Sequence, residues 1–181
     1  MSEWCEKFHV EIWAYCLMTN HVHLIAVPET EGGLRKAIGE AHRRYTAAVN
    51  RREKWTGHLW QGRFSSVVMD EAHLLTAARY VELNPVRAKM VTMPDEYKWS
   101  SARAHMAGSD DILVKTGPML SMIGDWGTYL AEPEKQGEYD EFTATEKSGR
   151  PLGSESFVEK LEVLLGRSLK PKKRGRKKIE R

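Results

Sequence analysis

With 181 residues, 41% of them hydrophobic, the chain has enough apolar material for one ordinary domain core and an appendage. No apolar run approaches the roughly 20 residues of a membrane helix, and the opening Met1-Ser2-Glu3-Trp4 lacks the basic and apolar stretches of a secretion signal. Cys5 and Cys16 imply neither a disulfide framework nor a cysteine metal site, which makes a reducing, cytoplasmic setting the expectation. The net charge of +3 is uneven: residues 170–181 carry eight basic residues against Glu180, so the rest of the chain is acidic by about four charges. That tail cannot bury surface and is expected to be disordered; such tails neutralise phosphates without reading sequence.

In chain order, residues 9–17 read as a strand, with Val10, Ile12 and Ala14 alternating with Glu11, Trp13 and Tyr15. The polar break Met18-Thr19-Asn20 leads into a second strand over 21–27, ended by Pro28, and two strands this close predict a β-hairpin. Gly32-Gly33 opens a helix to about residue 52, with Leu34, Ala37, Ile38, Ala41, Tyr45 and Ala48 at helical period. A third strand is expected over 63–69, where Val67 and Val68 are β-branched. Asp70 is a natural N-cap for a helix to about residue 83, which Pro85 ends; Pro85 could equally begin a short helix over 86–91 capped by Asn84. Residues 105–153 are rich in Gly, Pro and acidic residues and give a poorly defined extension. A capping-box pattern at Ser156-Phe157-Val158-Glu159 predicts a small amphipathic helix within 154–169, closed by Gly166.

His21 and His23 leave the same face of their strand, with Cα atoms roughly 7 Å apart, close enough for two imidazoles to meet on one divalent ion. Two histidines leave a coordination sphere unfilled, so a third ligand must come from elsewhere. On the helix after Asp70, the 100° step puts His73, Ala77, Tyr80 and Asn84 on one stripe, apart from the apolar Leu74, Leu75, Ala78 and Val81. Tyr80, a candidate nucleophile, therefore stands one turn from an amide oxygen able to ligate a metal; the competing reading has Tyr80 packing at the helix margin and Asn84 capping the next segment. Lys36, Arg43, Arg44 and Arg51 fall within about a 100° arc of the preceding helix and suit phosphate contacts, and Arg63 is added to this DNA-binding set.

Met18-Thr19-Asn20-His21-Val22-His23-Leu24-Ile25 resembles the His–hydrophobic–His motif of the HUH single-tyrosine transposases. Trp60-Gln61-Gly62-Arg63-Phe64, the segment from Tyr80 to Ala88 and Tyr97-Lys98-Trp99-Ser100-Ser101 resemble, in order, signature segments of the REP-associated tyrosine transposase group. The resemblance implies an α+β, ferredoxin-like antiparallel sheet with helices on one face over residues 1–104, here starting almost at the hairpin and so lacking the family's first strand and helix. A second copy completing that sheet would make a homodimer. The resemblance further implies cleavage and rejoining of single-stranded or hairpin DNA through a 5′-phosphotyrosine. Tyr80 would be the nucleophile, and His21, His23 and Asn84 the ligands of Mg²⁺ or Mn²⁺. Two other readings stand beside it. One is a histidine-triad nucleotide hydrolase, which wants a histidine where Ile25 stands. The other is a catalytically inactive DNA-binding or regulatory remnant of a transposase.

Overall fold

The computed structural model describes residues 1–134, 137 and 139–170; the basic tail from residue 171 onward lies outside the described residues. At its centre is the expected hairpin, β1 (Val10–Leu17) and β2 (Val22–Pro28), paired antiparallel. A short helix not anticipated from the sequence, α1 (Ser2–Lys7), precedes it and buries Trp4 and Cys5. The polar turn does end the first strand, because its exposed Thr19 and Asn20 have no core to face.

The alternation in β1 is interrupted. Ile12 pairs with Ala26 and Ala14 with Ile25, so Trp13 is an extra residue with no partner across the ladder. The bulge shifts the pleat by one. Val10 and Ile12 join Tyr15 in one apolar cluster with Ala37 and Ala41 of α2 (Gly33–Glu53) and Trp4 of α1. Ala14 and Cys16 instead join Ile25, Leu74, Ala77, Ala78 and Val81 in the other. The expected common face of Val10, Ile12 and Ala14 is thus split in two. The α+β class is what the structure has, and its helices are shared between the two faces of the hairpin.

The third strand expected over 63–69 is absent. That stretch is irregular, and only Met69 makes a bridge, to Leu152. Val67 and Val68 are half-buried and exposed, so β-propensity found no neighbouring strand to pack on. Residues 97–101 take the open side of β1 instead. Leu17 donates to the Trp99 carbonyl at 2.8 Å, Ser101 to the Tyr15 carbonyl at 3.0 Å, and the Tyr97 hydroxyl to the Leu17 carbonyl at 2.9 Å. Among the described residues β2 pairs only with β1, and the histidine strand forms an edge.

Asp70 caps α3 (Glu71–Arg87), accepting from the His73 backbone N–H. The helix does not stop before Pro85. It runs on to Arg87 with Pro85 inside it, fully buried, and the packing of that ring offsets one lost backbone hydrogen bond. Beyond it, α4 (Ala102–Ala107), α5 (Gly117–Met122) and α6 (Trp126–Ala131) send Ala102, Met119, Trp126 and Leu130 into the α3 cluster. Two further helices follow, α7 (Asp140–Ser148) and α8 (Glu155–Leu165). The cap of α8 is Ser154, whose hydroxyl accepts from the Phe157 N–H, and not Ser156. Gly166 closes it in the left-handed conformation, as read from the sequence. No helix among the described residues is long and apolar enough to cross a membrane.

Candidate active site

The turn and the edge strand deliver the histidine pair. His21 stands just before β2, its Nδ1 2.7 Å from the Asn20 side-chain oxygen, a contact that fixes the ring's orientation. His23 lies opposite Cys16, on the face that looks toward α3. The two imidazoles meet edge to face with centroids 4.7 Å apart. Burial, then the neighbouring charges of His21 and Arg87, push the His23 pKa down to about 4. At neutral pH that ring is uncharged and keeps a nitrogen lone pair.

The Tyr80 ring stands edge-on to His23 with centroids 5.7 Å apart. The structure therefore brings His21, His23 and Tyr80 together from two elements more than fifty residues apart in the chain. The stripe that placed Tyr80 away from the core needs correcting. Ala77 is 0% exposed and Tyr80 packs against the core cluster, because residues beyond α3 cover that side of the helix as well. Asn84 lies one turn after Tyr80, half-buried, its carbonyl accepting from the Ala88 N–H. Among the described residues no third histidine, cysteine, aspartate or glutamate joins the pair. His73 is engaged by the capping Asp70 and is not part of the cluster.

The basic residues read as a DNA track are partly occupied within the chain. Arg44 lies 4.8 Å from the Trp4 ring centroid and Lys36 6.0 Å from that of Phe8, while Arg43 is bridged to Glu40 at 2.6 Å. Arg51 and Arg63 are exposed. Trp60 stacks on His42 at 3.9 Å and donates to its carbonyl, and Phe64 is half-buried.

Three residues around Tyr80 escaped the sequence reading. The Arg87 guanidinium lies 4.1 Å from the Tyr80 ring centroid and 4.6 Å from that of Tyr139, and its Nη2 donates to the Tyr80 carbonyl at 2.7 Å. Tyr139 and Phe142 each pack on Tyr80 with centroids 5.2 Å apart. Arg87 had a signal, since seven residues is two helical turns and puts it on the Tyr80 face. The two aromatics had none.

Behind Tyr80, Glu82 is buried completely. Its carboxylate accepts from the Ser101 hydroxyl at 2.5 Å, meets His105 Nδ1 at 2.6 Å and accepts from the Trp126 indole at 2.7 Å. The Ser101 hydroxyl oxygen also accepts from the Tyr15 backbone N–H at 2.8 Å. Through this network the helix carrying Tyr80 is tied to β1, α4 and α6. An acidic residue inside the arc set by Val81, Ala78 and Leu75 was its trace in the sequence.

Residues 1–84 match the family described as Transposase IS200 like. No curated protein and no solved structure shows significant similarity to the chain.

Proposed function

The chain belongs, through residues 1–84, to the IS200-like transposase family, whose work is DNA transposition, and from that premise we propose that it cleaves and rejoins single-stranded DNA with Tyr80 as nucleophile. The observation that carries this reading is the meeting of the His21, His23 and Tyr80 rings at 4.7 and 5.7 Å. The Tyr80 hydroxyl oxygen forms a bond to the scissile phosphorus as the bond to the 3′ oxygen breaks, and the phenolic proton passes through solvent to that leaving oxygen. The products are a 5′-phosphotyrosine and a free 3′-hydroxyl. Because the phosphotyrosine conserves the bond energy, the reverse attack by a 3′-hydroxyl rejoins the strand without ATP.

The paired imidazoles suit a divalent cation. His23 is a neutral imidazole beside His21, whose ring is held by Asn20, and Asn84 offers an amide oxygen on the Tyr80 helix. His21, His23 and Asn84 would hold it. A bound Mg²⁺ or Mn²⁺ would supply positive charge against the developing charge on the phosphate oxygens. The chain's own contribution is to fix the Tyr80 ring between His23, Arg87 and the rings of Tyr139 and Phe142, so that its orientation is set before substrate arrives.

The test incubates the full chain with a single-stranded DNA hairpin and Mn²⁺ and looks for a covalent adduct on a denaturing gel. Wild type is expected to give the adduct and Tyr80→Phe none. Equally blank lanes for both would sink the enzyme reading, and a salt-sensitive mobility shift without adduct would favour a non-catalytic DNA-binding protein.

A further inference from the structure

We propose that Arg87 is the phosphate-binding group beside Tyr80, and that a DNA phosphate takes the position now filled by the Glu134 carboxylate. The inference deepens the reading above and rests on it for the identity of the ligand. Arg87 lies beyond the segment matched to the transposase family, which ends at residue 84.

Three observations carry it. The guanidinium is already placed. It is stacked on the Tyr80 and Tyr139 rings at 4.1 and 4.6 Å and pinned by Nη2 to the Tyr80 carbonyl, so little side-chain freedom is left to lose when an anion binds. Its charge is poorly answered. The carboxylate facing it, Glu134, stands 3.8 Å from Nη1, an ion-pair distance too long for a hydrogen bond. Nη1 itself is buried and has no hydrogen-bond partner among the described residues.

An arginine fork with an uncommitted donor is suited to a phosphate, whose oxygens accept at shorter range than this carboxylate now does. Glu134 is 42% exposed at its side chain and belongs to no helix or strand, so it can leave. The exchange is one anion for another. The helical spacing that aligns Arg87 with Tyr80 would then hold the phosphate next to the attacking oxygen.

The experiment measures binding of a six-nucleotide oligothymidylate to the full chain by fluorescence anisotropy over a range of salt, in a Tyr80→Phe background where no cleavage interferes. Arg87→Gln is expected to reduce the slope of log affinity against log salt by about 0.7, the loss of one single-strand phosphate contact. Arg87→Lys should keep the slope. Glu134→Gln, an exposed change, should tighten binding about threefold by removing the competing anion. An unchanged slope in a folded Arg87→Gln protein overturns the proposal. If that variant does not melt cooperatively, Glu134→Gln decides alone, and unchanged affinity there overturns it. These readouts need no covalent adduct, so failure of the nuclease reading and failure of the Arg87 site are told apart.

Discussion

The segment matched to the transposase family and the segment after it divide the labour around Tyr80 unequally. Residues 1–84 carry the histidine pair, the tyrosine and the asparagine. Residues after 84 carry most of what holds them: Arg87, Tyr139 and Phe142 around the Tyr80 ring, and Ser101, His105 and Trp126 around Glu82 behind it. The difference teaches that a candidate site and its scaffold need not share a stretch of sequence. A motif search finds the first, and only packing finds the second.

The sharpest way to break this comparison is to damage the scaffold alone. Trp126→Ala, far from the histidines in sequence, should cost about 4 kcal/mol through the cavity it leaves and abolish adduct formation at 37 °C; urea unfolding followed by the gel assay checks both. Glu82→Gln keeps the shape but turns a donor toward groups that themselves donate. It should cost about 3 kcal/mol, read from the same urea curves. A loss below about 0.5 kcal/mol would mean that the network is idle and the comparison misplaced.

Smaller effects sharpen it within α3. Asp70→Ala should cost about 1 kcal/mol, because a first-turn N–H loses its acceptor. The hydrogen bond to His73, followed by that from the Ser154 backbone, holds the Asp70 carboxyl below its usual range. Its stabilisation is therefore fully present above the unfolded value of about 3.9 and is lost as the pH falls through the lower folded value. Melting curves from pH 7 to pH 2 should show wild type converging on Asp70→Ala at the acid end. Ser154→Ala, which uncaps the exposed α8, should shift stability by only about 0.5 kcal/mol and leave adduct formation unchanged.

How much of this was legible follows the range of each interaction. The hairpin, the helix from Gly33 and the Asp70 cap depend on neighbours in sequence, and all three could be read there. Pro85 misled because its local penalty was read without the burial that offsets it. Val67 and Val68 misled because β-branching needs a partner strand, and this stretch forms only a single bridge, Met69 to Leu152, in which Leu152 donates to the Val68 carbonyl. The nearness of His23 and Tyr80 could be expected only through resemblance, since nothing local joins them. The aromatics at 139 and 142 were beyond reach, since no periodicity links them to α3.

The unpaired residue at Trp13 has a consequence for how this hairpin tolerates change in length. It acts as a reading-frame shift in the pleat: before it, even-numbered side chains face α1 and α2, and after it they face α3. Deleting that one codon would close the ladder into regular alternation, with Ile12 still opposite Ala26 and Ala14 still opposite Ile25, so Val10 and Ile12 would keep one layer and Ala14 and Cys16 the other. His23 lies on the other strand and His21 just before it, and that strand's own frame is untouched. A deletion at position 13 should therefore leave both layers and the two imidazoles in phase, visible as melting that stays cooperative.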